Sequence, residues 1–407
     1  MVDPDLEKIF DILKMAGHKV RFVGGCVRDT IARRTVKDID LATDANPEFV
    51  LKVLTGAKIK VLPTGIEHGT VTAIPETRPF EITTLRRDVE TDGRHATVEF
   101  TEDWMEDASR RDFTFNALSA DPDGTIYDYF TGIEDLNAGR VRFIGRAQER
   151  VAEDYLRVMR FFRFQANYGK TVPDQDSLAA CRAAAGNVET VSGERIWSEM
   201  SQTLTAPAPG AVLRMMEDIG LLGLLLPVGG SVMHIEALAK VESILSIEPE
   251  PIRRLAALIR PSDGQESETA VRLRLSRRDN SRLKRLNSMR GESSAAMSIH
   301  ELRKTLYAVG RDRFLDQILL DWADDLAANS LGSVSSMKGW REIWDTASSW
   351  QFPEFPINGE DVMEMGIQEG PRVGEILEHI EEWWVEHSFL PDRDACLDQL
   401  RQVIPNL

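Results

Sequence analysis

Over its first hundred residues the chain alternates short runs rich in β-branched and aromatic residues with turn signals, the apolar positions tending to recur at every second residue. KVRFVGG (19–25), DIDLATD (38–44), KIKVLP (58–63), TVTAIP (70–75) and RPFEITTLRR (78–87) predict strands, and helical patterns fall at 5–16, 26–34 and 47–54. From about residue 105 the strand pattern fades, apart from TIYDYF and RVRFIG, which predict a strand pair around 125–145, and a helical period runs to the end. Pro/Gly/Ser-rich breaks interrupt it at 206–210, 226–230, 260–268, 331–337 and 351–359. No repeat of fixed period and no low-complexity tract is present. The pattern predicts a small α/β head on a long α-helical remainder.

Length and composition agree with a multidomain globular chain: 407 residues, 42% hydrophobic and 28% charged. No run approaches the roughly 18 apolar residues of a membrane span, and the acidic start MVDPDLEKIF is unlike a signal peptide, so a cytoplasmic protein with no membrane partner is expected. Cys26, Cys181 and Cys396 are far apart and form no CxxC pair, which excludes a disulfide framework and a cysteine zinc site.

The net charge of −17 argues at first against a nucleic-acid partner. The charge is segmented, however. Residues 251–313 hold 15 Lys+Arg against 7 Asp+Glu, whereas residues 354–407 hold 3 Arg against 13 Asp+Glu. A basic middle and an acidic end point to separate domains.

The first candidate chemistry is VGGCVRDTIARRTVKDIDLAT (23–43). A strand ends in Gly24-Gly25, a helix starts, and Asp38-Ile39-Asp40 opens the next strand. Paired glycines let backbone N–H groups approach an anion, with Arg28 nearby to hold a phosphate. Side chains two apart on a strand share a face, so Asp38 and Asp40 can share a divalent metal while Ile39 faces the core. Alone, the glycine pair reads more readily as a tight turn, and DxD as a solvated strand edge about as readily as a metal site. Their combination is far more specific.

In EDYLRVMRFFRF (153–164), helical spacing places Val151, Tyr155, Val158, Met159 and Phe162 on one apolar face. Asp154, Arg157, Arg160 and Arg163 step by three beside it, as a surface ion-pair ladder or as something more pointed. A carboxylate accepts from an amino group and a guanidinium donates to a ring nitrogen. Cytosine and adenine offer that pair of groups side by side, and uracil and guanine offer the reverse. Asp154 with Arg157 can therefore choose C and A without a template. In ASRRDFTFNAL (108–118), Asp112 reads as a helix cap and Phe113, Phe115 and Leu118 as packing.

GGCVRD followed by KDIDLAT resembles the first motif of the class II tRNA nucleotidyltransferase and poly(A) polymerase family, within the DNA polymerase β superfamily. ASRRDFTFNAL is similar to its RRD motif, EDYLRVMRFFRF to its EDxxRxxR motif, GERIWSEM (193–200) to the ERI motif that follows, and GEDVMEMGIQEGPRVGEIL (359–377) to a C-terminal signature. The resemblance implies an α+β fold: a polymerase-β-like nucleotidyltransferase head (mixed or antiparallel sheet with helices) at 1–140, followed by an all-α neck (141–205), body (206–345) and tail (346–407).

For the site it implies that Asp38 and Asp40 are catalytic and hold two Mg²⁺ ions. Gly24, Gly25, Arg28, Arg111, Asp112, Asp154, Arg157, Arg160 and Arg163 would bind nucleotide, Arg160 reaching the triphosphate and Asp112 the ribose hydroxyl. TLRRDVETDGRHATVEF (84–100), a bland polar loop by composition, matches the position of the family's flexible loop, which helps the site switch from C to A. PTGIEHGTV (63–71) resembles the form common in CCA-adding members and departs from the GRRF-like stretch of bacterial poly(A) polymerases.

The expected activity is addition of C, C and A to tRNA from CTP and ATP, with tRNA and the two nucleotides as partners and no DNA. The alternatives are poly(A) synthesis, CC-only or A-only addition, or a non-catalytic RNA-binding scaffold. The basic stretch 251–313 would line the path of the tRNA backbone. The acidic tail argues against strong phosphate contact and leaves docking by shape or a dimer surface. Glu81 is a weaker candidate for a third carboxylate. His68 reads as a turn or packing residue, and Trp383 and Trp384 as core and rim. The last 200 residues have no HxxxH or paired His–Asp pattern, so no phosphohydrolase activity is expected.

Overall fold

A computed structural model describes residues 3–92, 95–170, 172–227, 230–259, 266–288, 290–329 and 334–404. The chain forms two compact units, one of residues 1–230 with 268–275 and the other of residues 231–267 with 276–407.

The first unit opens with the helix Pro4–Met15, whose start is fixed by Asp3: its carboxylate accepts from the Asp5 N–H, and Pro4 needs no donor there. Nine strands follow: β1 Val20–Val23, β2 Asp40–Thr43, β3 Lys60–Gly65, β4 Thr70–Ile74, β5 Phe80–Thr84, β6 Arg86–Asp92, β7 His95–Phe100, β8 Ser119–Ala120 and β9 Ile126–Tyr127. Seven of them make one mixed sheet in the order β3-β4-β5-β2-β1-β8-β9, in which only β2 and β5 run parallel. The helices Pro4–Met15 and Pro47–Gly56 pack on it through Leu6, Ile9, Leu13, Val50 and Leu54, against Phe22, Leu41, Val71, Phe80 and Ile82.

Four local expectations are corrected. The strand expected at 38–44 is only Asp40–Thr43, so Asp38 precedes the strand. TIYDYF and RVRFIG do not pair with each other. Ile126–Tyr127 pairs with Ser119–Ala120, and Phe143 bridges Phe113. The supposed loop at 84–100 contains the antiparallel pair β6–β7, with Asp92 opposite His95. Finally, the helix expected through EDYLRVMRFFRF is two helices, Ala147–Glu153 and Leu156–Tyr168. Asp154 is extended (φ −155°, ψ 110°), and its carboxylate accepts from the Leu156 N–H at 3.1 Å, which stops one helix and starts the next.

Behind this break lies an aromatic core. Phe113 is fully buried and stacks on Phe143 (4.7 Å between ring centres) and Phe115 (5.9 Å), with Phe164 edge-on at 5.1 Å. Helices from Gln175–Ala184 to Leu221–Leu225 complete the unit.

The second unit is helical among its described residues. Part of the basic stretch is structural there. Arg253 and Arg254 are buried on Glu242, at 2.7 Å and 2.8 Å, and Arg253 also reaches Asp316 at 3.2 Å. Arg277, Arg278, Lys284 and Arg285, on the helix Arg277–Ser288, are exposed. At the chain's end the helices Gly359–Glu364, Pro371–Glu386 and Arg393–Val403 enclose Ile376, Ile380, Trp384 and Leu400. Trp384 is core, its indole N–H donating to the Pro391 carbonyl, and Trp383 is half-buried. All three cysteines are free and buried. Among the described residues no helix is long and apolar enough to cross a membrane.

Phe113→Ala would open a cavity among the rings of Phe115, Phe143 and Phe164. Urea unfolding is expected to show a loss of ~3–5 kcal/mol, and a loss below about 1 kcal/mol would deny the aromatic core this role.

Candidate active site

Every residue that the sequence proposed for the site lines one cavity of about 830 Å³: Gly24, Gly25, Arg28, Asp38, Asp40, Arg111, Asp112, Asp154, Arg157, Arg160 and Arg163. The cavity also takes in Arg86, Arg110, Asn116, Leu156, Phe164 and Arg195. Its lining thus carries eight guanidinium groups against four carboxylates, so a chain of net charge −17 presents here a place for a polyanion.

The glycines earn their place by close approach. Gly24 has φ 70°, and a Cβ on it would lie 2.9 Å from a guanidinium nitrogen of Arg111. A side chain would be strained there and would displace that arginine. The next helix, Gly25–Ile31, carries Arg28, which donates from Nε and Nη2 to Asp29 (2.9 Å each) and from Nη1 to Asn116 Oδ1 (2.6 Å). Asp29 in turn accepts from the Tyr168 hydroxyl at 2.5 Å. Three of the five N–H donors of Arg28 are therefore engaged.

From Asn116 the network continues. Its amide donates to Asp112 Oδ1 at 2.9 Å, beside the Phe113 N–H at 2.9 Å, while Asp112 Oδ2 takes Arg160 Nε at 2.6 Å and Nη2 at 2.5 Å. Arg160 reaches Glu199 at 3.4 Å, and Glu199 also holds Arg163. Burial works to raise the Asp112 carboxyl, but the Arg160 guanidinium and the Asn116 amide hold it below the ordinary carboxylate range. Arg160, opposed by burial, is raised by Asp112 and Glu199, and burial with the neighbouring Arg160 lowers Arg163.

The break between the two helices at Asp154 fixes where the Asp154 and Arg157 side chains lie. Asp154 Oδ2 receives Arg195 Nη2 at 2.7 Å, and Arg157 is held by Glu153 and by the Arg150 carbonyl at 2.7 Å. Sequence reasoning passed over Arg195 and Glu199 as site residues, although both lie in GERIWSEM, and over Asn116 in the RRD motif.

Asp38 and Asp40 are exposed, and neither carboxylate has a hydrogen-bond or ion-pair partner among the described residues; the Cys26 thiol donates to the Asp40 backbone carbonyl. Although the Asp40 side chain reaches solvent, desolvation by the surrounding protein pushes its carboxyl up. The Glu81 carboxylate, directly opposite in the β2–β5 register, adds to the shift, as does Asp38, and Arg111 opposes it. Crowded, unpaired carboxylates at a cavity mouth suit a divalent cation. Among the described residues no group of three or more His, Cys, Asp or Glu side chains is arranged to hold a metal. His68 ends a short turn and its carbonyl accepts from Arg86.

Residues 20–142 match the poly A polymerase head domain, and residues 173–230 match a probable RNA- and SrmB-binding site of polymerase A. The mitochondrial CCA tRNA nucleotidyltransferase 1 of Danio rerio is 34% identical over 399 residues, covering 96% of this chain and 89% of that protein. The chain belongs to the CCA-adding enzyme and poly(A) polymerase family. The CCA-adding enzyme of Streptococcus sanguinis is 32% identical over 97% of this chain and 93% of its own length. The crystal structure of the Bacillus stearothermophilus CCA-adding enzyme in complex with CTP matches 100% of this chain and 99% of that one, at 25% identity and a TM-score of 0.74. Members of the family are nucleotidyltransferases that use a divalent metal, which suits the unpaired carboxylates described above.

Asp107 underpins the arginine side of this family site. It is buried, takes Arg110 at 2.8 Å, Arg111 at 3.2 Å and the Arg86 N–H at 3.3 Å, and burial notwithstanding, Arg111 and Arg110 hold its carboxyl below the ordinary value. A depressed folded pKa gives stability that is present in full above the unfolded value of about 3.9 and is lost as pH falls through the folded one. Asp107→Asn is expected to lose ~1–3 kcal/mol at pH 7. Its melting temperature should then fall less steeply than that of the parent between about pH 5 and 2. Parallel curves would contradict the assignment.

Proposed function

We propose that this chain is a CCA tRNA nucleotidyltransferase: it adds C, C and A in turn to the 3′ end of tRNA, using CTP and ATP. The observation that carries the reading is the meeting, in one arginine-rich cavity, of the carboxylate pair Asp38/Asp40 with the paired donor and acceptor Arg157/Asp154. The names of relatives that span almost the whole chain support it.

In each cycle the terminal 3′-hydroxyl oxygen attacks the α-phosphorus of the nucleotide, a phosphodiester bond forms, the α–β bridging bond breaks and pyrophosphate leaves. Asp38 and Asp40 hold the divalent metal, which we take to be two Mg²⁺ ions; these would lower the pKa of the attacking hydroxyl and offset charge on the pyrophosphate. The protein supplies no nucleophile. Gly24 and Gly25 let the phosphates approach the backbone. Arg28, Arg111, Arg160 and Arg163 balance the triphosphate charge, so catalysis rests on positioning and electrostatics.

Asp154 accepts from the exocyclic amino group of cytosine or adenine, and Arg157 donates to the adjacent ring nitrogen. Uracil and guanine offer a carbonyl and an N–H in those places and leave both protein groups unpaired. Asp112 already accepts three hydrogen bonds and a further ion-pair contact from Arg160, so it would contact a ribose hydroxyl by exchanging one of them. We further propose a cytoplasmic location, no DNA substrate, and a division into head (1–140), neck (141–205), body (206–345) and tail (346–407).

The test is extension of a tRNA transcript ending just before CCA, with Mg²⁺ and products sized to the nucleotide. CTP alone should add two residues and both nucleotides three, followed by a stop. A long ladder with ATP alone would make the chain a poly(A) polymerase. Asp38→Ala should abolish extension while leaving the fold intact, and retained activity would refute the metal assignment. Arg195→Ala removes the partner that orients Asp154 and should raise KM for both nucleotides by roughly tenfold or more. If KM stays unchanged, Asp154 does not depend on that contact.

A further inference from the structure

The arginines assigned to the triphosphate meet more than carboxylates. Phe164, on the helix Leu156–Tyr168, lines the arginine-rich cavity although its side chain is almost wholly buried, and three guanidinium groups lie over its ring. The Cζ atom of Arg163 is 4.1 Å from the ring centre, that of Arg28 5.1 Å and that of Arg160 5.5 Å. Arg160 and Arg163 share the helix of Phe164, whereas Arg28 comes from the helix Gly25–Ile31. One turn further on, Tyr168 repeats the arrangement. Arg28 lies 4.6 Å and Arg34 4.2 Å from its ring centre, and the two rings are 5.8 Å apart.

A guanidinium group has two kinds of surface. Its edges donate hydrogen bonds, and its weakly hydrated faces stack on aromatic rings. Here carboxylates take the edges: Asp29 for Arg28, Asp112 for Arg160 and Glu199 for Arg163. Those bonds leave the faces unsupported. Burial, together with the like charge of Arg160, lowers Arg163, so these groups crowd one another at some cost. The negative face of one ring attracts all three, and gathers cations that repulsion would spread.

Resting on the triphosphate assignment made under Proposed function, we propose that Phe164 is the positioning residue of the phosphate cradle: its ring holds Arg28, Arg160 and Arg163 in the arrangement that receives a polyphosphate before any nucleotide has bound. The ring touches no reacting atom. Its contribution is preorganisation, because an empty site whose arginines are spread binds with an apparent dissociation constant raised by the inverse of the fraction correctly arranged. Base choice, assigned above to Asp154 and Arg157, is untouched.

Phe164 also packs at steep angles on Phe113 and Phe115, so a decisive test keeps its shape and changes its charge. Placing 4-fluoro-, 3,5-difluoro- and 3,4,5-trifluorophenylalanine at position 164 drains the ring face stepwise at nearly constant volume. Calorimetric binding of inorganic tripolyphosphate to the full chain in EDTA isolates the arginines from base, metal and turnover. The dissociation constant should rise with each fluorine, to about fivefold at the third, the worth of one cation–π contact. The melting temperature should stay that of the parent. With Mg²⁺ and tRNA, KM for CTP and KM for ATP should rise by the same factor as each other. Phe164→Leu keeps an apolar side chain without a quadrupole, and should weaken tripolyphosphate binding at least as much as three fluorines do. A dissociation constant flat across the series, parental affinity in Phe164→Leu, or a KM rise for one nucleotide alone would each overturn the proposal. Graded tripolyphosphate binding in a chain that extends no RNA would refute the parent activity and leave the role of the ring standing. Absence of tripolyphosphate binding by the unmodified protein would refute the triphosphate assignment, and this proposal with it.

Discussion

One chain of charge-assisted hydrogen bonds holds the site together: Arg28 to Asn116, Asn116 to Asp112, Asp112 to Arg160, Arg160 to Glu199, and Glu199 to Arg163. It begins on the helix Gly25–Ile31, passes through the RRD motif to Arg160 on the helix Leu156–Tyr168, crosses to Glu199 on the helix Gly193–Leu204 and returns to Arg163. Bonds of this kind are stronger than neutral ones, and leaving one buried member unpaired is expensive. Asp112 and Glu199 are both buried and each serves two or more donors, so neither can be lost without freeing an arginine. The geometry that brings Arg28, Arg160 and Arg163 into one cavity with Asp154 and Arg157 depends on this connection, and the aromatic stack around Phe113 is fully buried beside it.

Much of this was legible in the sequence because the relevant signals are local. Period-two runs located β1 to β5, and the helical patterns at 5–16 and 47–54 located the helices Pro4–Met15 and Pro47–Gly56. The eleven proposed site residues came together because strand order, not sequence distance, brings the ends of β1 and β2 next to the RRD segment. What escaped notice depends on competition between local preferences. Helical spacing through EDYLRVMRFFRF is real, yet Asp154 caps a new helix and so breaks the pattern. Asp92-Gly93 is a hairpin signal that lost out to the polar composition of its surroundings. Arg195 and Glu199 were invisible as site residues because their meaning lies in partners about 40 positions away in sequence.

Charge shows the same division between what can be counted and what must be seen. The total of −17 conceals an arginine-lined cavity, and the basic count for residues 251–313 overstates the surface available to RNA. Arg253 and Arg254 are spent inside the second unit on Glu242 and Asp316, whereas Arg277, Arg278, Lys284 and Arg285 remain on the surface. Only the latter group contributes fully solvated positive charge at that surface. The acidic end, meanwhile, builds a conventional apolar core around Trp384 and holds Arg393 on the buried Asp361.

The central claim is that the site is one coupled network and not a set of independent contacts. A double-mutant cycle between Asn116→Ala and Glu199→Gln tests it most directly, because these two side chains share no direct contact and meet only through Asp112 and Arg160. The free energies derived from kcat/KM for CTP should show a coupling of about 1 kcal/mol or more. Effects that add to within about 0.5 kcal/mol would contradict the account, since independent sites behave in that way.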